Sequence, residues 1–120
     1  MTFQRINIFI MIFDLKKDCY QKKRGSYSRL LNLFCRVCKK QFAVYQKDGA
    51  GNLRRLYFDR ILYPKKIVHL EKKLWSSVPP LSCHSCREAL GTPYLYKKEH
   101  RKAFKLYQDA VIKKIRKNKS

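Results

Sequence analysis

The chain carries 120 residues, with 29 Lys and Arg against 8 Asp and Glu, a formal charge of +21. At 14.4 kDa it has the length of one domain. Hydrophobic residues make up 45%, which allows only a thin core that a staple is expected to supplement. The cations run along the whole chain, which excludes the single basic amphipathic helix of a membrane-surface protein. An odd count of five cysteines argues against a secreted disulfide framework and for a cytoplasmic or other reducing intracellular compartment.

Residues 1–26 read as a leader and basic arm without fixed structure, and residues 27–120 as a single domain. The unbroken apolar run at residues 8–13 is far shorter than the ~20 residues that span a bilayer. Only Arg5 precedes it and no small-x-small site follows before Asp14, so it is not read as a signal peptide. Residues 27–34 turn apolar and read as a strand.

The clearest strand pattern lies at residues 41–46 and 53–62, around a turn at 47–52. Asp48-Gly49 and Gly51-Asn52 supply the positive-φ positions of a hairpin. Alternation turns Phe42, Val44, Leu56 and Phe58 toward the core, and Tyr45, Arg55 and Tyr57 outward. Pro64 ends this hairpin. Residues 65–77 read as a strand or loop, and Val78-Pro79-Pro80 is held extended. A turn is expected at residues 87–91 and a short closing strand at 93–96. Residues 98–116 read as a helix, because Phe104, Tyr107, Val111 and Ile115 recur at helical spacing.

Cys35 and Cys38 form one CxxC pair and Cys83 and Cys86 a second, with residues 39–82 between them. Each such turn sets two sulfurs about 3.5–4 Å apart, so two turns brought together make a tetrahedral four-thiolate site. One structural Zn²⁺ is the expected occupant; iron has the same ligand set and is not separated from zinc by spacing. A thioredoxin-type redox pair lacks its βαβ surroundings here, and haem attachment lacks a histidine after the second cysteine, where Lys39 and Arg87 stand. His84 lies inside the second pair, but four sulfurs already complete the site. It is expected at the solvated surface with His69 and His100, and Cys19 is a spare thiol.

On these four cysteines, residues 33–96 resemble the zinc-ribbon class of small basic proteins. The resemblance implies a hairpin core clamped between two knuckles, although the insert exceeds the ~15–20 residues of compact ribbons. The expected fold is α+β: a small zinc-ribbon-like β-hairpin core with a basic C-terminal helix over 98–116.

No Ser-His-Asp order, Walker loop or HExxH is present, and the carboxylates show no paired arrangement, so no enzyme is expected. The charge points to a polyanion. The chain is expected to bind nucleic acid, with structured RNA preferred over DNA because no base-reading helix is evident, as part of or attached to a ribonucleoprotein such as the ribosome. Arg54, Arg55, Arg60, Lys97, Lys98, Arg101 and Lys102 are the expected phosphate contacts, with Tyr45 and Tyr57 as stacking residues. The rival readings are a DNA-associated transcription module of zinc-ribbon type, an iron or thiol redox protein, and a protein–protein adaptor whose charge serves solubility.

Overall fold

The computed structural model describes residues 13–64 and 72–116. The described residues form a short helix α1 (Cys19–Lys23) and eight strands: β1 (Ser28–Cys35), β2 (Gln41–Asp48), β3 (Arg55–Tyr57), β4 (Ile61–Tyr63), β5 (Leu81–Ser82), β6 (Ala89–Tyr96), β7 (Arg101–Leu106) and β8 (Val111–Arg116). They build two four-stranded sheets, ordered β4-β2-β1-β8 and β3-β7-β6-β5. The chain crosses between the sheets four times: β3 leaves the first for the second, β4 returns, β5 to β7 complete the second, and β8 closes on β1.

The core cluster draws on both sheets. Leu31, Leu33, Ala43 and Tyr45 come from the first, and Leu56, Leu90 and Phe104 from the second. Leu33, Leu56, Phe58 and Phe104 are 0–1% exposed, and full burial of such side chains is worth ~1.5–3 kcal/mol each. A bulge raises the yield of β2. Leu33 pairs with Ala43 but Phe34 pairs with Gln41, so Phe42 is the extra residue and both Phe42 and Ala43 reach the core.

The α+β expectation is overturned. The described chain is mostly strand, and residues 98–116 are two strands joined by a turn, not a helix. At that turn Asp109 takes a φ of 58°, and the Ala110 amide bonds the Tyr107 carbonyl. The helical spacing was a coincidence of two strand faces: Phe104 is buried in β7, while Tyr107 and Ile115 are 45% and 58% exposed. β-branched Val111, Ile112 and Ile115 suit a strand, and β1 offers β8 a six-residue ladder.

The expected hairpin is also corrected. β2 pairs with β1 and β4, whereas β3 pairs with β7 in the other sheet. Tyr45 therefore points inward, 2% exposed, and Val44 lies on the face opposite Tyr45. The strand expected at 27–34 is β1, and the short closing strand at 93–96 is the end of the longer β6. Of residues 65–77, positions 65–71 lie outside the described residues, as do positions 1–12 of the leader.

From residue 13 onward the arm is docked. Lys16 exchanges two hydrogen bonds with the Gln46 side chain, at 2.7 and 2.8 Å, on the outer face of the first sheet. Asp18 caps α1 by accepting from the Tyr20 and Gln21 amides, and also accepts from Arg60 at 2.6 Å. Arg60, 1% exposed, reaches Asp48 on its other side at 2.8 Å. The Arg60 hydrogen bond outweighs partial burial and holds the Asp18 carboxyl at about 2, below its ordinary 3.8. A depressed carboxyl stabilises the fold fully above 3.8, and that contribution is lost as pH falls toward 2. Arg60→Met leaves Asp48 buried without a cation and should cost roughly 3–5 kcal/mol in urea unfolding at neutral pH. Adding Asp48→Asn should recover part of the loss; a double variant no more stable than the single would show that the ion pair is not what the arginine supplies.

Candidate metal centre and cationic face

The two CxxC pairs form matching turns at the tips of the two sheets. The first joins β1 to β2 and the second joins β5 to β6. In the first, the Lys39 amide bonds the Cys35 carbonyl at 2.9 Å, the Cys35 amide bonds the Lys40 carbonyl at 2.9 Å, and Lys39 has a φ of 67°. In the second, Arg87 bonds Cys83 at 2.8 Å, Cys83 bonds Glu88 at 2.9 Å, and Arg87 has a φ of 68°. The same strand–knuckle–strand unit thus occurs twice, once in each sheet.

The turns converge. Cys35 Sγ lies 3.6 Å from Cys86 Sγ, and Cys38 Sγ lies 3.6 Å from Cys83 Sγ. All four sulfurs fall within 4.8 Å of one another, and none of the cysteines is in a disulfide. Cys35 and Cys83 are buried, 0% and 1% exposed, and Cys86 is exposed. The site could hold a metal ion and needs one to ionise fully. Burial opposes the Cys83 thiolate, but the Cys86 and Ser85 amides outweigh it and pull that thiol down. At Cys86 the Glu88 amide favours the thiolate, yet slight desolvation and the Cys35, Cys38 and Cys83 sulfurs push the thiol up. Four negative sulfurs at this spacing require a central cation. His84 and Cys19 are exposed and outside the cluster, as the completeness of the four-sulfur set demands.

The expected phosphate and stacking residues divide in two. Tyr45, Tyr57, Arg60 and Arg101 are 2%, 7%, 1% and 4% exposed and have internal partners. Tyr45 accepts the Tyr57 amide at 2.9 Å, and burial raises its phenol. Arg101 pairs with Asp59 at 2.8 Å and Glu99 at 3.2 Å, sandwiched between the Tyr57 and Tyr20 rings. These four side chains serve the interior: Tyr57, Arg60 and Arg101 belong to the network that packs the arm onto the sheets, and Tyr45 bonds the β3 backbone from the core. Arg54, Lys97 and Lys98 are exposed, Arg55 and Lys102 partly so, and Lys102 donates to the Lys73 carbonyl at 2.9 Å.

Reasoning from the sequence missed a face of the second sheet. Register puts Arg55, Lys105 and Thr92 in one row across β3, β7 and β6, with Tyr57, Ala103 and Tyr94 in the next and Arg101 and Tyr96 in a third; of these Tyr57, Ala103 and Arg101 are covered. Arg55 lies 4.2 Å over the Tyr96 ring and donates to the Tyr94 hydroxyl at 2.8 Å. Thr92, Tyr94 and Tyr96 alternate at period two, the signal that would have placed them on one face of a strand. Among the described residues, no helix is long and apolar enough to cross a membrane.

Cys35→Ser, or stripping of bound metal with a chelator, should abolish the cooperative thermal transition, since a four-thiolate metal contributes ~10–16 kcal/mol of folding free energy. A chelated protein that keeps its thermal midpoint would mean that the two sheets stand without the clamp.

Comparison with family models, with curated proteins and with solved structures found no match for this chain, so its function has to be read from geometry and charge.

Proposed function

We propose that this chain is a zinc-stapled RNA-binding protein that attaches to, or forms part of, a ribonucleoprotein. The observation that carries this reading is the partition of charge. Asp18, Asp48, Asp59 and Glu99 are four of the eight acidic residues, and all four are taken up in ion pairs with Arg24, Arg60 or Arg101. The exposed cations therefore meet few acids at the surface. A polyanion supplies the missing counter-charge.

A structural zinc is favoured over a catalytic metal because the four sulfurs, two of them buried, leave no open position for substrate. A tetrahedron with metal–sulfur bonds of about 2.3 Å has edges of about 3.8 Å, close to the 3.6 Å separations here. RNA is favoured over DNA because α1, the one described α-helix, has five residues, too few to lie along a major groove. Arg55, Lys105, Tyr94 and Tyr96 instead offer a sheet face where cations hold phosphates and tyrosines meet unpaired bases of a folded RNA.

Metal analysis should return one zinc per chain and a colourless solution; a red protein would mark a ferric centre and an electron-transfer role. Affinity for structured RNA should fall with log salt at a slope of about −3 or steeper, on the order of four phosphates. Tyr94→Ala should lose a further ~1–3 kcal/mol of binding to unpaired RNA. A salt-independent affinity, or selection of one duplex DNA sequence over RNA, would overturn the proposal.

A further inference from the structure

The loop between β2 and β3 is pressed against the end of α1. Gly49, at a φ of 75°, makes this approach possible: a Cβ there would lie 2.8 Å from Arg24 Cβ and 3.1 Å from the Arg24 carbonyl oxygen. Between loop and helix lies a cleft of about 160 Å³, lined by Arg24, Lys47, Asn52, Arg54, Arg55 and Tyr57 among others. Four cations share this one concavity, whereas the buried Arg60 and Arg101 are each paired with carboxylates.

We infer that this cleft is an anion site that takes a phosphoryl group, an inference that rests on the RNA reading and names where one phosphate is gripped. Among the described residues Lys47, Arg54 and Arg55 have no ion-pair partner. Arg55 bonds only phenols, Tyr94 Oη at 2.8 Å and Tyr57 Oη at 3.4 Å, and stacks on Tyr96. Arg24 reaches the same Tyr57 oxygen at 3.2 Å, so two guanidiniums converge on one phenol at the cleft wall. Arg24 also pairs with Glu99 at 3.0 Å, which fixes its direction. Lys47 donates to the Gly49 and Ala50 carbonyls, at 3.3 and 3.1 Å, and so is held at the rim by the loop itself.

Asp48 lines the cleft too, but its carboxylate is occupied. Oδ1 accepts from Ser28 and Gln46, and Oδ2 accepts from Arg60 at 2.8 Å. The Asp48 carboxylate is thus turned to Arg60, and among the described residues Lys47, Arg54 and Arg55 have no ion-pair partner of their own. Burial lowers the Lys47 ammonium pKa, and Lys113, Arg29 and Arg24 lower it further against an opposing pull from Asp48. An oxyanion is the complement, and guanidinium forks match the geometry of phosphate oxygens. Arg55 and Tyr57 belong both to this cleft and to the tyrosine-bearing sheet face, so a strand gripped here by its phosphate would continue toward Tyr94 and Tyr96.

Inorganic phosphate, titrated into the metal-loaded full chain against chloride at matched ionic strength, tests the site by NMR. The backbone N–H signals of Ala50, Asn52 and Arg55 and the Nε–H signals of Arg24 and Arg55 should move on one saturable curve. Arg54→Gln, at an exposed side chain, should keep the thermal midpoint and weaken phosphate binding on the order of five-fold. If RNA is the source of the phosphoryl group, the same variant weakens RNA binding in parallel. Unsaturable shifts spread equally over Lys97, Lys98 and Lys113 would overturn the cleft and leave the RNA reading standing, since diffuse phosphate contact needs no pocket. Saturation at the cleft in a protein without affinity for RNA would uphold the anion site, assign it to a small phosphorylated ligand, and overturn the RNA reading.

Discussion

Four sulfur atoms drawn from two sheets within 4.8 Å of each other set the terms for the rest of this molecule. Cys35 and Cys38 end one hairpin of the first sheet, and Cys83 and Cys86 end one of the second. A metal held there would tie the sheets together at their tips, with Cys35 and Cys83 themselves part of the buried core. The restraint acts beyond the knuckles. The Arg36 amide in the first turn bonds the Ala110 carbonyl at 3.0 Å, and Cys35 pairs with Val111, so the clamp also seats the turn that feeds β8 onto β1. A metal held only by thiolates would also link folding to redox state and to metal supply, because oxidised or protonated sulfur gives up the ion.

Charge imposes a second constraint. A chain with so few acids has little with which to neutralise a buried arginine, yet three arginines are threaded between the arm, the sheets and the 97–100 turn. Arg60 joins Asp18 of the arm to Asp48 of β2, and Arg101 joins Asp59 to Glu99 between two tyrosine rings. These pairs hold residues 13–24 on the body of the protein. They also commit half of the acidic residues to ion pairs within the chain. Structural neutrality inside and cationic excess outside thus have one cause. The basicity that repels the chain from itself in isolation is the basicity that a polyanionic partner would relieve.

Legibility differed from element to element for physical reasons. β1 was visible because Leu31, Leu33 and Cys35 bury alternate side chains against a single core. The pattern of residues 98–116 was ambiguous because both faces of β7 carry apolar residues, Ala103 and Phe104 being buried on opposite sides of the strand. Two short strands with a tight turn can then imitate one helical stripe. β2 and β3 were each recognisable as extended, but their pairing was not, since the loop between them closes no ladder and each finds a partner elsewhere. Tyr45 and Tyr57 illustrate the cost of that error. Assigning them to one hairpin turned both outward, whereas in two sheets Tyr45 enters the core and Tyr57 is covered by Arg24 and Arg101.

The amino-acid sequence by itself determined the ligand set and the excess of charge, because CxxC spacing and residue counts are local or additive and survive any error in topology. Tertiary structure decided which cations face solvent, which tyrosines share a surface, and where a phosphate-sized cleft opens between β2, β3 and α1. Those outcomes depend on which strand sits beside which. Strand pairing is settled by the packing of the whole core and by where each buried arginine finds its carboxylate, so no local stretch of the chain encodes it.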